Sequence, residues 1–174
     1  MTLIIREVKI EDAEGIANVG IKTWQTTYKG IFPVEKLDKM SMEEHTEKWK
    51  KYITSSIEDE NIKILVAEDS ISGIVGYVGG GRYEWTHPFD CEIAGIYVLK
   101  DFQGKGIGTK FVKKITKFFC SKDWKNMVIW ILKDNPYCRF YERFGGIPKE
   151  KKMHEQWGNN YELLGYVWDD ISKI

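Results

Sequence analysis

Gln103-Gly104-Lys105-Gly106-Ile107-Gly108 is the stretch best equipped to do chemistry, with three glycines at alternating positions. Glycine has no Cβ, so main-chain amides can come close to a ligand. Residues 92–99 before it read as a strand, and residues 107–122 after it read as an amphipathic helix. A helix that starts in such a turn adds unpaired N–H groups and the positive end of its dipole. The chemistry is the binding of a phosphate-bearing ligand on main chain. Lys105 and Lys110 lie close enough in sequence to add positive charge. A tight strand-to-helix connection with no ligand uses the same residues.

Two common phosphate templates do not fit. A P-loop needs Ser or Thr after Gly-Lys, but Gly106 follows Lys105. A dinucleotide fingerprint needs glycine where Thr109 stands, and an acidic residue at the end of a second strand. Asp123 has about the right separation but falls at the end of the helix. A nucleotide-dependent oxidoreductase is disfavoured on those grounds.

A second constellation follows: Asn135-Pro136-Tyr137-Cys138-Arg139-Phe140-Tyr141-Glu142-Arg143-Phe144-Gly145. Together, Gln103-x-x-Gly106-x-Gly108 after a strand and this Asn-led, Tyr-bearing segment resemble the two signature motifs of the GCN5-related N-acetyltransferase (GNAT) superfamily. The front segment with Trp24, Tyr28-Lys29-Gly30-Ile31-Phe32-Pro33 and Leu37 looks like a variant of the same superfamily. Gly146 departs from the pattern, which often has Phe there.

The resemblance implies an α/β (α+β) fold: one mixed, mostly antiparallel sheet of about seven strands flanked by helices, forming a single domain over 1–174. It implies acetyl-CoA as cofactor, no metal, and acetyl transfer to a primary amine of a small molecule or peptide. The pyrophosphate would lie on the amides of Gly104, Lys105, Gly106, Ile107, Gly108 and Thr109, bordered by Gln103. The main chain of Ile96, Tyr97 and Val98 would pair with the pantetheine arm. Asn135 would hold that arm, or simply cap the helix that follows it. Tyr141 would face the departing thiolate. Glu92 would be the base, directly or through water, or else a strand-end surface carboxylate. Trp24, Tyr28 and Trp85 would line the acceptor cleft, with Tyr83 and Trp157 as further candidates.

Energetics constrain two of those roles. Reference pKa values of ~10 for Tyr and ~8.5 for a thiol make full proton transfer uphill by about 2 kcal/mol. Tyr141 therefore acts best as a hydrogen-bond donor to developing charge. An alkylammonium near ~10.4 costs roughly 4.6 kcal/mol to deprotonate at neutral pH, so a base or an apolar site is required. His87, Glu84 and His154 are further base candidates. Glu84, Asp90, Glu92 and Glu155 suit a cationic acceptor. A non-catalytic CoA-binding module would keep the glycine turn and need neither Tyr141 nor a base.

The elements that must position these groups alternate along the chain. A first strand (3–8) precedes a helix (12–28) and a second helix opened by Ser41-Met42-Glu43-Glu44, which has the form of a capping box. Glu44–Lys48 and Glu47–Lys51 have the spacing of supportive ion pairs. Strands follow at 62–68, 74–80 and 91–99, then the helix after the glycine turn, a strand at 126–132 and a short helix at 137–144. A closing hairpin pairs 149–157 with 161–168 through Gly158-Asn159-Asn160. That order suits one sheet with helices packed on it.

At 174 residues the chain can bury a full core, and its 26 acidic and 26 basic residues give no global field toward nucleic acid or an anionic membrane. The N-terminus has no signal-peptide layout, and no apolar run approaches membrane-spanning length. Cys91, Cys120 and Cys138 lack metal-like spacing, which suggests reduced thiols and a cytoplasmic location. Monomer and homodimer are equally compatible with the sequence.

Overall fold

The computed structural model describes residues 2–83 and 88–174. Seven strands form one sheet in the order β1-β2-β3-β4-β5-β7-β6. They are β1 (Leu3–Glu7), β2 (Ile62–Asp69), β3 (Gly73–Arg82), β4 (Cys91–Val98), β5 (Met127–Leu132), β6 (Ile147–Gln156) and β7 (Asn159–Trp168). Every neighbouring pair is antiparallel except β4 and β5. The helices are α1 (Ala13–Thr27), α2 (Val34–Asp38), α3 (Met42–Glu58), α4 (Ile107–Ser121) and α5 (Cys138–Glu142).

Successive strand side chains point to opposite faces, so a sheet covered on both sides needs apolar residues at every position. β2 meets that demand. Leu65 and Ala67 join the core under α4, while Ile64 and Val66 join the core under α1 and α3. The apolar stripe Ile107, Phe111, Ile115 and Phe119 seats α4 on the first face. α1 presents Ala13, Ile16 and Val19 to the second, with Ile53 from α3.

Helix α4 crosses β3 at Gly80, the middle residue of Gly79-Gly80-Gly81. A Cβ on Gly80 would stand 2.4 Å from the Glu92 carbonyl and 3.0 Å from the Phe119 ring. Opposite this run β4 is irregular. Gly79 pairs with Gly95 and Gly80 with Ile93, leaving Ala94 as the extra residue of a bulge.

The parallel β4–β5 ladder is short. Only Cys91 with Met127 and Glu92 with Val128 are in register. β4 stays paired with β3 as far as Val98, and β5 stays paired with β7 as far as Leu132. The sheet therefore forks after Glu92, and among the described residues the β5-facing edge of β4 runs on with no strand beside it.

Local details depart from the sequence expectation at three places. The closing hairpin turns on Trp157-Gly158, because Gln156 pairs with Asn159 and Asn160 is already in the ladder. Trp157 and Gly158 have φ of +54° and +79°, the mark of a two-residue type I′ turn. In α3 the ion pair is Glu47 with Lys50 at 2.8 Å, three residues apart, in place of the pairs expected at four. Ser41 Oγ accepts the Glu44 N–H at 3.2 Å, which is the N-cap half of the expected box. Among the described residues no helix is long and apolar enough to cross a membrane.

Candidate active site

Two cavities flank the fork. The first, about 430 Å³, is walled by β4 residues Ile96, Tyr97 and Val98, the glycine turn, the first turn of α4 and the α5 segment. It gathers almost every residue expected to hold a cofactor: Gln103, Gly104, Gly106, Ile107, Gly108, Thr109, Asn135 and Tyr141 all line it. Lys105 is the exception. Its main chain belongs to the turn, but its ammonium lies over the Phe102 ring, 4.7 Å from the centroid.

The three glycines of the turn do different jobs. Gly104 and Gly106 have φ of +74° and +80°, and a Cβ on either would meet nothing within 4 Å. They are needed for conformation. Gly108 is needed for packing, since its Cβ would come within 3.0 Å of the Phe140 ring. Only the first two therefore fit the expected role of shaping the main chain around a ligand. Within α4, Lys110 N–H bonds to the Gly106 carbonyl at 3.0 Å. The amides of Ile107, Gly108 and Thr109 precede that first intrahelical bond. Gly106 as N-cap has no side chain to take them.

A hydrogen-bonded chain ties the two motifs together. Tyr137 Oη donates to Gln103 Oε1 at 2.9 Å, and Gln103 Nε2 donates to the Val98 carbonyl at 3.0 Å. The end of β4, the glycine turn and the start of α5 are thus locked in one geometry. Asn135 Oδ1 accepts the Tyr137 N–H at 2.8 Å, an Asx turn just before α5 in place of the expected helix cap, and Asn135 Nδ2 donates to Tyr28 Oη at 3.3 Å. Sequence reasoning did not single out Tyr137. Its place next to Asn135-Pro136 was the available signal, because Asn135 bonds its amide in an Asx turn.

Tyr141 is buried and lines the cavity. Burial pushes its phenol well above the usual tyrosine range, with the nearby Tyr97 and Cys138 adding to the effect. Tyr28 is raised in the same way by burial, then by Tyr97 and Tyr141. Three tyrosines therefore converge where β4 leaves β5, all held as neutral hydroxyls. Tyr28 lines this cavity and not the acceptor side where it was expected.

The second cavity, about 580 Å³, lies on the other side of Tyr97, which lines both. Trp24 lines it as expected. Trp157 also reaches it, stacked edge-on against Trp24 and Phe32 at centroid distances of 6.2 and 5.4 Å. A bulky residue at positive φ is uncommon, and such strain collects at functional sites. His45 lines this cavity as well, with Nδ1 2.8 Å from the Ser41 carbonyl. A carbonyl only accepts, so Nδ1 carries the hydrogen and Nε2 is the nitrogen that can take a proton. His45 gave no sequence signal because it reads as an ordinary helix residue.

The remaining candidates are placed as follows. Glu92 is the last β4 residue with a β5 partner, at the base of the fork. Its charge is felt by Tyr52 of α3 and Lys152 of β6, yet Glu92 is not among the residues lining either cavity. Trp85, Glu84 and His87 lie outside the described residues. Asp90 spends its carboxylate on the Lys125 and Asn126 amides at 2.7 and 3.3 Å, and Glu155 on the Gly158 amide at 2.7 Å. Tyr83 accepts from Trp130 Nε1 at 3.3 Å, and His154 Nε2 lies 3.3 Å from Gln156 Oε1.

Comparison with known proteins bears on this geometry. Residues 22–146 match the family model described as "Acetyltransferase (GNAT) family". The chain is 27% identical over 172 residues to the uncharacterised N-acetyltransferase YuaI of Bacillus subtilis (strain 168), covering 98% of this chain and 95% of YuaI. Its fold is similar to PaiA N-acetyltransferase from Thermoplasma acidophilum, solved with coenzyme A: TM-score 0.71, 21% identity, 94% of this chain and 98% of that one. It is also similar to YncA from Salmonella typhimurium, solved with its cofactor acetyl-CoA: TM-score 0.72, 18% identity, 97% and 94% covered.

Proposed function

The chain belongs to the acetyltransferase (GNAT) family, and from that premise we propose that it transfers the acetyl group of acetyl-CoA to a primary amine of a small molecule or peptide. One observation carries the reading: the cradle of main-chain amides opens onto the unpaired edge of β4, with Tyr141 in the same cavity. The first-turn amides of α4 and the Gly104–Gly106 turn are suited to a pyrophosphate. The free edge of β4 at Ile96–Val98 is suited to an extended arm that pairs like a strand. The PaiA and YncA structures, solved with CoA and acetyl-CoA, support the same assignment.

Bound acetyl-CoA supplies an activated acyl group. In the transfer an N–C bond forms, the C–S bond breaks, and the amine's proton ends on sulfur. Tyr141 Oη donates a hydrogen bond to the sulfur as charge develops there. Because burial raises its pKa, Tyr141 stabilises charge without becoming a phenolate. Main-chain N–H groups along β4 polarise the acyl oxygen in the manner of an oxyanion hole. Two groups can take the separate proton that the ammonium must lose before it attacks: His45 through Nε2 within the second cavity, and Glu92 through water from the base of the fork.

The test pairs binding with turnover. Calorimetric titration with CoA should show binding, and thiol release from acetyl-CoA should depend on an added amine. Tyr141→Phe should bind CoA within about twofold of the parent and turn over about a hundredfold more slowly. Binding without thiol release on any amine would leave a CoA-binding module and sink the transfer reading. kcat/KM should rise with pH as the base loses its proton. Whichever of His45→Gln and Glu92→Gln abolishes that limb identifies the base.

A further inference from the structure

The acceptor-side cavity is divided by chemistry. Its wall along α1, α3 and β4 is aromatic, with Trp49 packed on Tyr52 and Tyr77 at 5.5 and 4.9 Å. Its rim, from α2 and its C-cap and from α3, carries Lys36, Lys39 and Lys48, with Glu44 the one carboxylate among the described lining residues. Among the described residues, Arg143 is the one charged side chain lining the cavity on the other side of Tyr97. None of Lys36, Lys39 and Lys48 enters an ion pair among the described residues, where eight other basic residues do. The N-terminus of α3, a 17-residue helix, opens onto the same rim at Ser41, so its dipole adds to the positive potential there. The chain as a whole is neutral, with 26 residues of each sign. A cavity with a surplus of cations in a neutral chain focuses its field on an anion.

We propose that the acceptor is an amine that also carries a negatively charged group, a carboxylate or a phosphate, on an apolar body. The amine lies toward Tyr97, where the two cavities meet, the body lies on the aromatic wall, and the anionic end lies at the lysine rim. This rests on the acetyl-transfer reading for the role of the cavity. It runs against the cationic acceptor that Glu84, Asp90, Glu92 and Glu155 suggested: Asp90 and Glu155 are committed to backbone amides, Glu84 lies outside the described residues, and Glu92 lines neither cavity, although its charge reaches Tyr52.

Aminohexanoate, hexylamine and diaminohexane share one carbon chain and end in a negative, neutral or positive group. At low salt, kcat/KM should fall in that order, with aminohexanoate ahead of hexylamine on the order of tenfold, as expected for a few exposed charge contacts. The preference should shrink as salt is raised. The triple variant Lys36→Glu, Lys39→Glu, Lys48→Glu should reverse the order. Its thermal midpoint and CoA affinity should match the parent, because all three lysines are exposed. Aminohexyl phosphate in the same assay separates a phosphate site from a carboxylate site. Binding of N-acetylaminohexanoate and N-acetylhexylamine, followed by tryptophan fluorescence, gives a second readout that needs no turnover. If no amine releases thiol, the transfer reading fails while the binding pair still reports charge preference. A best acceptor that is the diamine, equal binding of the two acetylated probes, or an order unchanged in the triple variant would overturn the proposal.

Discussion

At the scale of single residues, the glycine turn separates two physical demands that look alike in sequence. Ala at Gly104 or Gly106 is strained by positive φ and meets no neighbour. Each substitution should cost about 1 kcal/mol of stability and weaken CoA binding, read by thermal melts and calorimetry. Gly108→Ala fails for a different reason, contact with Phe140. It should lower the melting temperature, and Phe140→Leu in the same chain should restore most of the loss, a coupling a double-mutant cycle measures. Tyr141 gives a pH signature. Its pKa is raised, mainly by burial, so it stays protonated past the ordinary value of ~10. No alkaline decline in kcat below about pH 10 should disappear in Tyr141→Phe. Gly104, Gly106 and Asn135 were legible because each is tied to a backbone event: a turn with positive φ, or a side-chain bond to a nearby amide. His45 was not legible, because its value comes from a cavity that only the tertiary fold creates.

At the scale of elements, the fork after Glu92 makes the site possible, and β4 alone does not announce it. Residues 91–98 read as one continuous strand, and nothing in them says that the neighbouring strand leaves. The available clue lay in pairing: Gly79-Gly80-Gly81 faces a segment with Ala94-Gly95, and glycine inside a strand often marks a bulge or a close approach. Gly80→Ala should test this packing, since its Cβ would strike the Glu92 carbonyl and the Phe119 ring. A loss of about 1–3 kcal/mol is expected by chemical denaturation. It should come with weaker CoA binding, because α4 carries the cradle. The turn of the closing hairpin was placed one residue late for a related reason. Asn159-Asn160 has turn composition, but Trp157 is held at positive φ by its packing on Trp24 and Phe32.

At the scale of the whole molecule, the element order and the single mixed sheet follow from patterning that the sequence displays, whereas the strand order and the sorting of charge do not. A net charge of zero conceals a basic rim on one cavity and a clamp at the far edge of the sheet. There Arg6 bonds both Asp12 oxygens at 2.7 and 2.8 Å and Glu68 at 2.7 Å, fixing the entry to α1. Burial raises the Asp12 pKa, but the Arg6 bonds and the Lys9 amide outweigh it and hold the carboxyl below its ordinary value. A depressed folded-state pKa contributes stability above the unfolded value of ~3.9 that is lost as pH falls through the folded one. Asp12→Asn should therefore melt lower than the parent at neutral pH, by about 1–2 kcal/mol. That deficit should close below about pH 4, as differential melts across pH would show. The two cavities, meeting at Tyr97, divide the chain in another way. The cavity proposed to hold CoA is lined by residues 23–28, 96–109 and 135–143, inside the stretch that matches the family model. Part of the wall of the cavity proposed for the acceptor belongs to Gln156 and Trp157 at the hairpin tip, beyond residue 146 where that match ends. A lineage could therefore exchange its acceptor by rewriting a hairpin tip and a helix rim, with its acyl donor left untouched.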